Sequence, residues 1–313
     1  MLSLARVAFG GAYSTEMVLL TGATGLVGSA VLRRLVADRD QVRCLVRDPR
    51  RLGAQRVRVQ IALGDLTDPP SFRNALRGVS TVVHLAASIR DQPRGSIEEL
   101  NGIATWRMVE AAERSGVERF LFFSVLDAST HHRARFFRAK ALAEQAVREA
   151  SVHSIVFASS IIYAPGDPYL TLLARLALLP AMPVSGRGHA LYQPIWAEDV
   201  ADCVITALRG AGSSSDGARH VRFELAGPET LSYNEIARAV MRSLGRSRPL
   251  LHVPTPLVSR SLRLVEAAWG ERAFATWDEA ELMEVAMISA RGVADAQTLG
   301  VSPQPLRAVL GVG

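Results

Sequence analysis

Lysine is almost missing from this 313-residue chain: of its 36 basic residues only Lys140 is a lysine, and every other one is arginine. Where nearly every generic cationic position has become a guanidinium, a surviving ammonium is either a place that needs a compact point charge or a survival by chance. Cysteine is nearly as scarce. Cys44 and Cys203 are too few for a disulfide framework and have no metal-ligand spacing, so they read as small buried hydrophobes in a cytoplasmic protein. No apolar run approaches the ~18 residues of a membrane span; the nearest, 170–179, is short and interrupted by Arg175. Aromatics make up 6% of the chain, and its net charge of +6 is scattered instead of gathered into a cluster with interleaved rings, which argues against nucleic acid as a partner. No metal site, no Ser/His/Asp arrangement and no nucleophilic cysteine context is visible. Residues 1–16 lack a long apolar core with a cleavage site and read as an extension ahead of the fold.

What the chain does have is core material, 49% hydrophobic against 21% charged, and a strict rhythm. The apolar run 17–21 (MVLLT) reads as a buried parallel strand ending at glycine. From Gly25 the apolar residues recur at three- and four-residue spacing through Val36, the pattern of a helix. Strands follow over 41–46, 57–63, 81–85, 119–123 and 152–158, with helices over 97–115 and 136–150 between them. Such alternation predicts a doubly wound α/β fold, a parallel sheet covered on both faces. Beyond Pro165 the rhythm loosens: helix over 169–179, extended chain over 192–196, helix over 198–208, a loop at 210–217, a late strand at 221–225, and a helix over 232–244 opened by a Ser232/Glu235 capping box. The expected division is a dinucleotide-binding domain over 17–228, with 166–187 joining a smaller, mainly helical lobe built from 229–313.

The strongest motif is TGATGLVG at 21–28, between the first strand and the first helix. Gly22 permits a tight turn, Gly25 lets backbone N–H groups reach a pyrophosphate at the helix N-terminus, and Gly28 permits close helix–strand packing. Thr24, Leu26 and Val27 lie in the same turn. At the end of the second strand an acidic residue would bond the ribose hydroxyls of NAD, while an arginine accommodates the 2′-phosphate of NADP. The sequence there reads VRDPRR, so Arg47 points to NADP(H) in preference to NAD(H), and Asp48 reads as a turn cap before Pro49.

With its Gly-x-x-Gly-x-x-Gly spacing this motif resembles the short-chain dehydrogenase/reductase superfamily, in its extended and atypical branches. The resemblance continues through LGDLTD at 63–68, HLAAS at 84–88, SIIYAPGDP at 160–168, YQPIWAEDVAD at 192–202 and FELAGPETLSYNEIA at 223–237. It is greatest to the atypical group holding the nucleotide-binding accessory subunit of respiratory complex I, plastid assembly factors and NmrA-like redox sensors. The resemblance implies that Asp65 with Leu66 contacts adenine, and that Leu85, Ala86 and Ala87 line the cofactor. It also implies a catalytic Ser/Thr position at Ser124 and a ribose-binding lysine at Lys140. Ser124 either polarises a carbonyl or satisfies local backbone. Four residues before the lysine, where active members carry a tyrosine, this chain has Phe136. A phenyl ring has no proton to transfer. Two functions are therefore implied: an accessory, assembly or sensor protein, peripheral to a membrane-associated respiratory or assembly complex, that uses NADP(H) structurally, or a quinone or carbonyl reductase acting through Lys140, Ser124 or a water. His131 and His132 read as a solvated loop, and His84 as a strand end.

Overall fold

A computed structural model describes residues 16–210, 218–258, 260 and 281–312. Seven strands form one sheet: β1 (Met17–Thr21), β2 (Gln41–Val46), β3 (Gln60–Leu63), β4 (Val79–His84), β5 (Arg119–Val125), β6 (His153–Ser159) and β7 (His220–Leu225). Their spatial order is β7-β6-β5-β4-β1-β2-β3, and every pairing is parallel. Parallel strands need crossovers, and the chain supplies them with α1 (Leu26–Ala37), α2 (Ala104–Arg114), α3 (Arg135–Glu149) and α5 (Ala197–Leu208). This is the doubly wound Rossmann architecture that the alternation predicts.

The period-2 geometry of β1 shows why both faces are covered. Val18 and Leu20 point into a core shared with Val31 of α1 and Val204 of α5, while Met17 and Leu19 point into a second core with Met108 of α2 and Val147 of α3. Leu19 and Leu20 are both fully buried, and cutting either to alanine should cost about 2–5 kcal/mol. Between β1 and β4 the winding reverses direction, which opens a crevice at the C-terminal ends of these two neighbours.

The smaller lobe comes from two separated stretches. Helix α4 (Pro168–Leu176) contributes Leu170 and Leu173, and helix α6 (Tyr233–Ser243) contributes Ile236 and Val240, to a third core that also holds Tyr163, Tyr192 and Leu306. The capping box at the start of α6 is present in full: Ser232 Oγ accepts from the Glu235 N–H, and the Glu235 carboxylate accepts from the Ser232 N–H. Late in the chain, Ala296 and Leu299 return to the first core.

Several elements differ from expectation. Residues 57–59 are not strand, because Asp48 and Pro49 start a 3₁₀ segment running to Val57. The fourth strand is shifted to Val79–His84. The expected helix over 97–115 opens instead with a π-helical turn, Glu99–Ile103, whose Asn101 side chain binds backbone outside the helix. The extended stretch 192–196 is two short strands, Leu191–Tyr192 and Ile195–Trp196, in separate sheets. The expected extension at 1–15, the loop at 211–217 and the part of the C-terminal lobe at 259, 261–280 and 313 lie outside the described residues.

Candidate functional site

The three glycines of the first turn are bare for different reasons. Gly22 has φ +71°, and a Cβ on it would lie 2.6 Å from the backbone of Leu85 and Ala86. A Cβ on Gly28 would run into the Gly22 carbonyl oxygen. The fold itself demands both of these glycines. Gly25 is different: it is exposed, its backbone is extended, and a Cβ would approach only the Gly22 oxygen, at 3.2 Å. Its missing side chain keeps the mouth of the crevice open over the N-terminus of α1, which no side chain caps. Thr24 is half-buried and Leu26 36% exposed beside it, whereas Val27 sits in the core and offers a ligand only its backbone. An uncapped helix start bordered by bare backbone suits a phosphate group.

At the β2–β3 side of the crevice, Arg47 leaves the sheet exposed, and its Nη1 donates to Gln92 Oε1 at 3.1 Å. Asp48 is turned away to accept the Arg50 N–H at 3.0 Å, the capping role expected of it. Asp65 accepts from the Thr67 N–H and hydroxyl through one oxygen and pairs with Arg94 through the other, at 3.1 Å. Burial pushes the Asp65 carboxyl up, but the Thr67 and Arg94 hydrogen bonds and the charge of Arg47 outweigh it and hold it below its ordinary value. Leu66 is half-buried against the second core.

Gln92 and Arg94 belong to a short turn closed by the Gln92–Gly95 backbone pair. That turn lies in the loop after β4, and the loop is tied down at both ends. At one end Asn101, fully buried, accepts from the Ser88 N–H and donates to the Ser88 carbonyl at 2.7 Å. At the other, Arg135 at the start of α3 pairs with both Asp91 and Glu98, and its hydrogen bonds draw the Glu98 carboxyl down to about 2. None of Gln92, Arg94 and Asn101 stands out in the sequence, although an Asn-Gly pair inside an apparent helix is a local signal for the π-turn.

Between these regions His84 ends β4, fully buried. Its Nδ1 lies 2.9 Å from Thr21 Oγ1 and its Nε2 3.2 Å from Thr105 Oγ1, while burial and then the charge of Lys140 push it down to about 3. It is a neutral brace between β1, β4 and α2. Leu85, Ala86 and Ala87 follow it along the crevice, the first two half-buried and the third exposed.

The lone lysine is buried against the C-terminal half of β5. Lys140 is 3% exposed; its Nζ donates to the Phe123 carbonyl at 2.7 Å and lies 4.9 Å from the Phe122 ring and 5.9 Å from the Phe136 ring. Burial lowers it to about 7, opposed by the charge of Glu144 one turn on. Ser124, the next residue along β5, is 2% exposed, and its hydroxyl has no hydrogen-bond partner among the described residues. The reading in which it merely satisfies local backbone therefore fails. A second correction concerns the histidine pair. His131 is exposed, but the His132 ring packs tilted against Phe137, with centroids 4.4 Å apart, and its Nδ1 accepts the Ala134 N–H, so it braces the start of α3 instead of standing in solvent. Among the described residues no three His, Cys, Asp or Glu side chains are grouped to hold a metal ion.

The lysine has a consequence for stability. The unfolded chain keeps this proton up to about 10.5, whereas the folded one releases it near 7, so the unfolded state binds more protons between those values. Stability should rise with pH across that window. Lys140→Met removes the dependence, so the stability of wild type should gain on that of the variant between pH 7 and pH 9. Chemical denaturation of both proteins at pH 7, 8 and 9 checks it, and parallel curves would show that the ammonium is not desolvated.

Known proteins resemble this chain over most of its length. A ceramide reductase of Caulobacter vibrioides is 27% identical over 256 residues, covering 80% of this chain and 78% of that one. NADH dehydrogenase [ubiquinone] 1 alpha subcomplex subunit 9 of Mus musculus is 25% identical, covering 95% and 80%. The solved structure of a nucleoside-diphosphate-sugar epimerase from Staphylococcus aureus superposes with a TM-score of 0.71 at 19% identity, over 94% of this chain and 99% of the other, and shares its fold. Residues 14–271, which hold the glycine turn, Asp65, the β4 loop, Ser124 and Lys140, match the NmrA-like family as a unit, and the chain belongs to that family.

Proposed function

We propose that the protein binds NADP(H) across the C-terminal ends of β1, β2 and β4 and uses it structurally, as an accessory, assembly or redox-sensing protein. The residues fit such a ligand. The N-terminus of α1 over Gly25 takes the pyrophosphate, Asp65 and Leu66 the adenine, Leu85 to Ala87 the central crevice, and Lys140 the nicotinamide ribose. Arg47 and Arg94 flank one carboxylate, so positive charge is in excess where a 2′-phosphate would lie. When bound, the nucleotide supplies hydride chemistry; the chain's own groups decide whether a proton can follow it.

One observation carries the structural reading: Phe136 stands where active members carry the proton-donating tyrosine, and among the described residues no tyrosine replaces it. Tyr163, Tyr169, Tyr192 and Tyr233 all belong to or pack against the core of the smaller lobe, and Tyr13 lies outside the described residues. The relative in NADH dehydrogenase favours work beside a partner complex. A reductase remains the second reading, favoured by the free, buried hydroxyl of Ser124 next to Phe123, whose carbonyl Lys140 holds, and by the relative named a ceramide reductase.

Mass spectrometry of nucleotide released from purified protein tests the ligand, and titration tests the preference. A charge-assisted contact to the 2′-phosphate is worth roughly 1.5–3 kcal/mol, so Arg47→Ala should weaken NADPH about 10- to 100-fold and leave NADH nearly unchanged. Equal losses, or a wild-type preference for NADH, overturn the assignment. NADPH oxidation over quinones, aldehydes and ketones separates the two functions: activity that disappears in Lys140→Met makes the protein a reductase.

A further inference from the structure

Helix α4 and the turn behind it carry more apolar surface than the smaller lobe buries. Leu170, Leu173 and Ala177 form the inward stripe expected of a surface helix. The outward side is apolar as well: Leu172 is only half-buried, and Leu178 and Leu179 are 58% and 45% exposed. Leu244, just past α6, is 44% exposed. Two shallow depressions of about 530 and 540 Å³ join these residues into one face. Leu178 and Leu244 border the first, Leu172, Leu176 and Leu179 the second, and Arg175 borders both.

The charge on this face is of one sign. Arg175 and Arg246 stand among the leucines, and among the described residues no Asp or Glu lines either depression and neither arginine is paired with a carboxylate. Elsewhere on the molecule many arginines are paired, Arg34 and Arg135 with two carboxylates each. A second copy of the chain is a poor occupant, because a two-fold contact joins the face to itself and so brings two positively charged patches together with no acidic partner. A lipid headgroup region accepts both components: leucines enter the acyl boundary while guanidinium groups reach lipid phosphates over their aliphatic stems.

We propose that this face docks the protein on the surface of an anionic lipid bilayer, with α4 lying in the headgroup plane. The contact is peripheral; among the described residues no helix is long and apolar enough to cross a membrane. It does not depend on nucleotide binding.

Sedimentation of the full chain with vesicles tests it, using phosphatidylcholine alone and phosphatidylcholine with about one-third phosphatidylglycerol. Wild type should bind the anionic vesicles, more weakly as salt is raised, and bind the neutral ones poorly. Leu178→Glu with Leu179→Glu, and separately Arg175→Gln with Arg246→Gln, should each lower binding roughly tenfold or more while melting temperatures stay near wild type. The proposal is overturned if wild type ignores anionic vesicles, or if either folded double variant binds them as well as wild type. It is equally overturned if ultracentrifugation shows a dimer that the leucine variant abolishes, or if a protein partner is lost with those substitutions while vesicle binding persists.

Discussion

A Gly28→Ala substitution is expected to damage the fold before it affects any ligand. The added methyl meets the Gly22 carbonyl oxygen, which also accepts the Gly25 N–H at 2.9 Å, so the whole turn must move. Because the obstacle is backbone and not a rotatable side chain, the cost should reach about 3 kcal/mol, which lowers the Tm of a domain this size by roughly 5–10 °C. Gly25→Val is the counterpart. Its Cβ has one tight neighbour, the Gly22 carbonyl oxygen, and the position is exposed beside the uncapped start of α1. That variant should melt within a few degrees of wild type and bind NADPH at least ~100-fold more weakly. Calorimetry and thermal melting of the pair separate the two roles of glycine in one turn. A Gly25→Val protein with wild-type affinity would mean that no phosphate sits there.

The largest gain of function is expected from Phe136→Tyr. The Phe136 ring centroid lies 5.9 Å from Lys140 Nζ, so the new hydroxyl stands within one helical turn of an ammonium that burial has lowered to about 7. A positioned acid–base group contributes about 10²- to 10⁴-fold, and NADPH-dependent reduction of aldehydes or quinones should rise above wild type by up to that factor. Adding Lys140→Met should remove the gain. If wild type turns over briskly and Phe136→Tyr adds nothing, the protein already has a proton donor and the structural reading of its nucleotide is wrong.

Local features of this molecule were legible in the sequence. The glycine turn, the Asp48 cap and the Ser232/Glu235 box each act within a few residues, where spacing alone fixes geometry. The parallel sheet was legible for a related reason, since strands buried on both faces read as unbroken apolar runs. What escaped depends on distant chain. Gln92 and Arg94 matter because a turn after β4 reaches back to Arg47 and Asp65, and no periodicity announces such a contact. The isolation of the Ser124 hydroxyl is a property of everything around it. His132 looked solvated until Phe137, on the helix it braces, was seen to cover it. The smaller lobe was blurred because its core is assembled from stretches some 60 residues apart, interleaved with a helix and a strand of the sheet.

The scarcity of lysine also makes the molecule its own reporter. In this sequence the side-chain primary amines number one, at Lys140, and it is almost wholly shielded. Acylating reagents that modify amines can therefore touch the fold at a single internal point, and only when the crevice breathes open. The rate of that one modification, followed by peptide mass so that the chain's own reactive α-amine is counted apart, reads the opening equilibrium of the site without mutation, dye or spectroscopic tag, and its slowing by a candidate ligand measures how firmly that ligand holds the crevice shut.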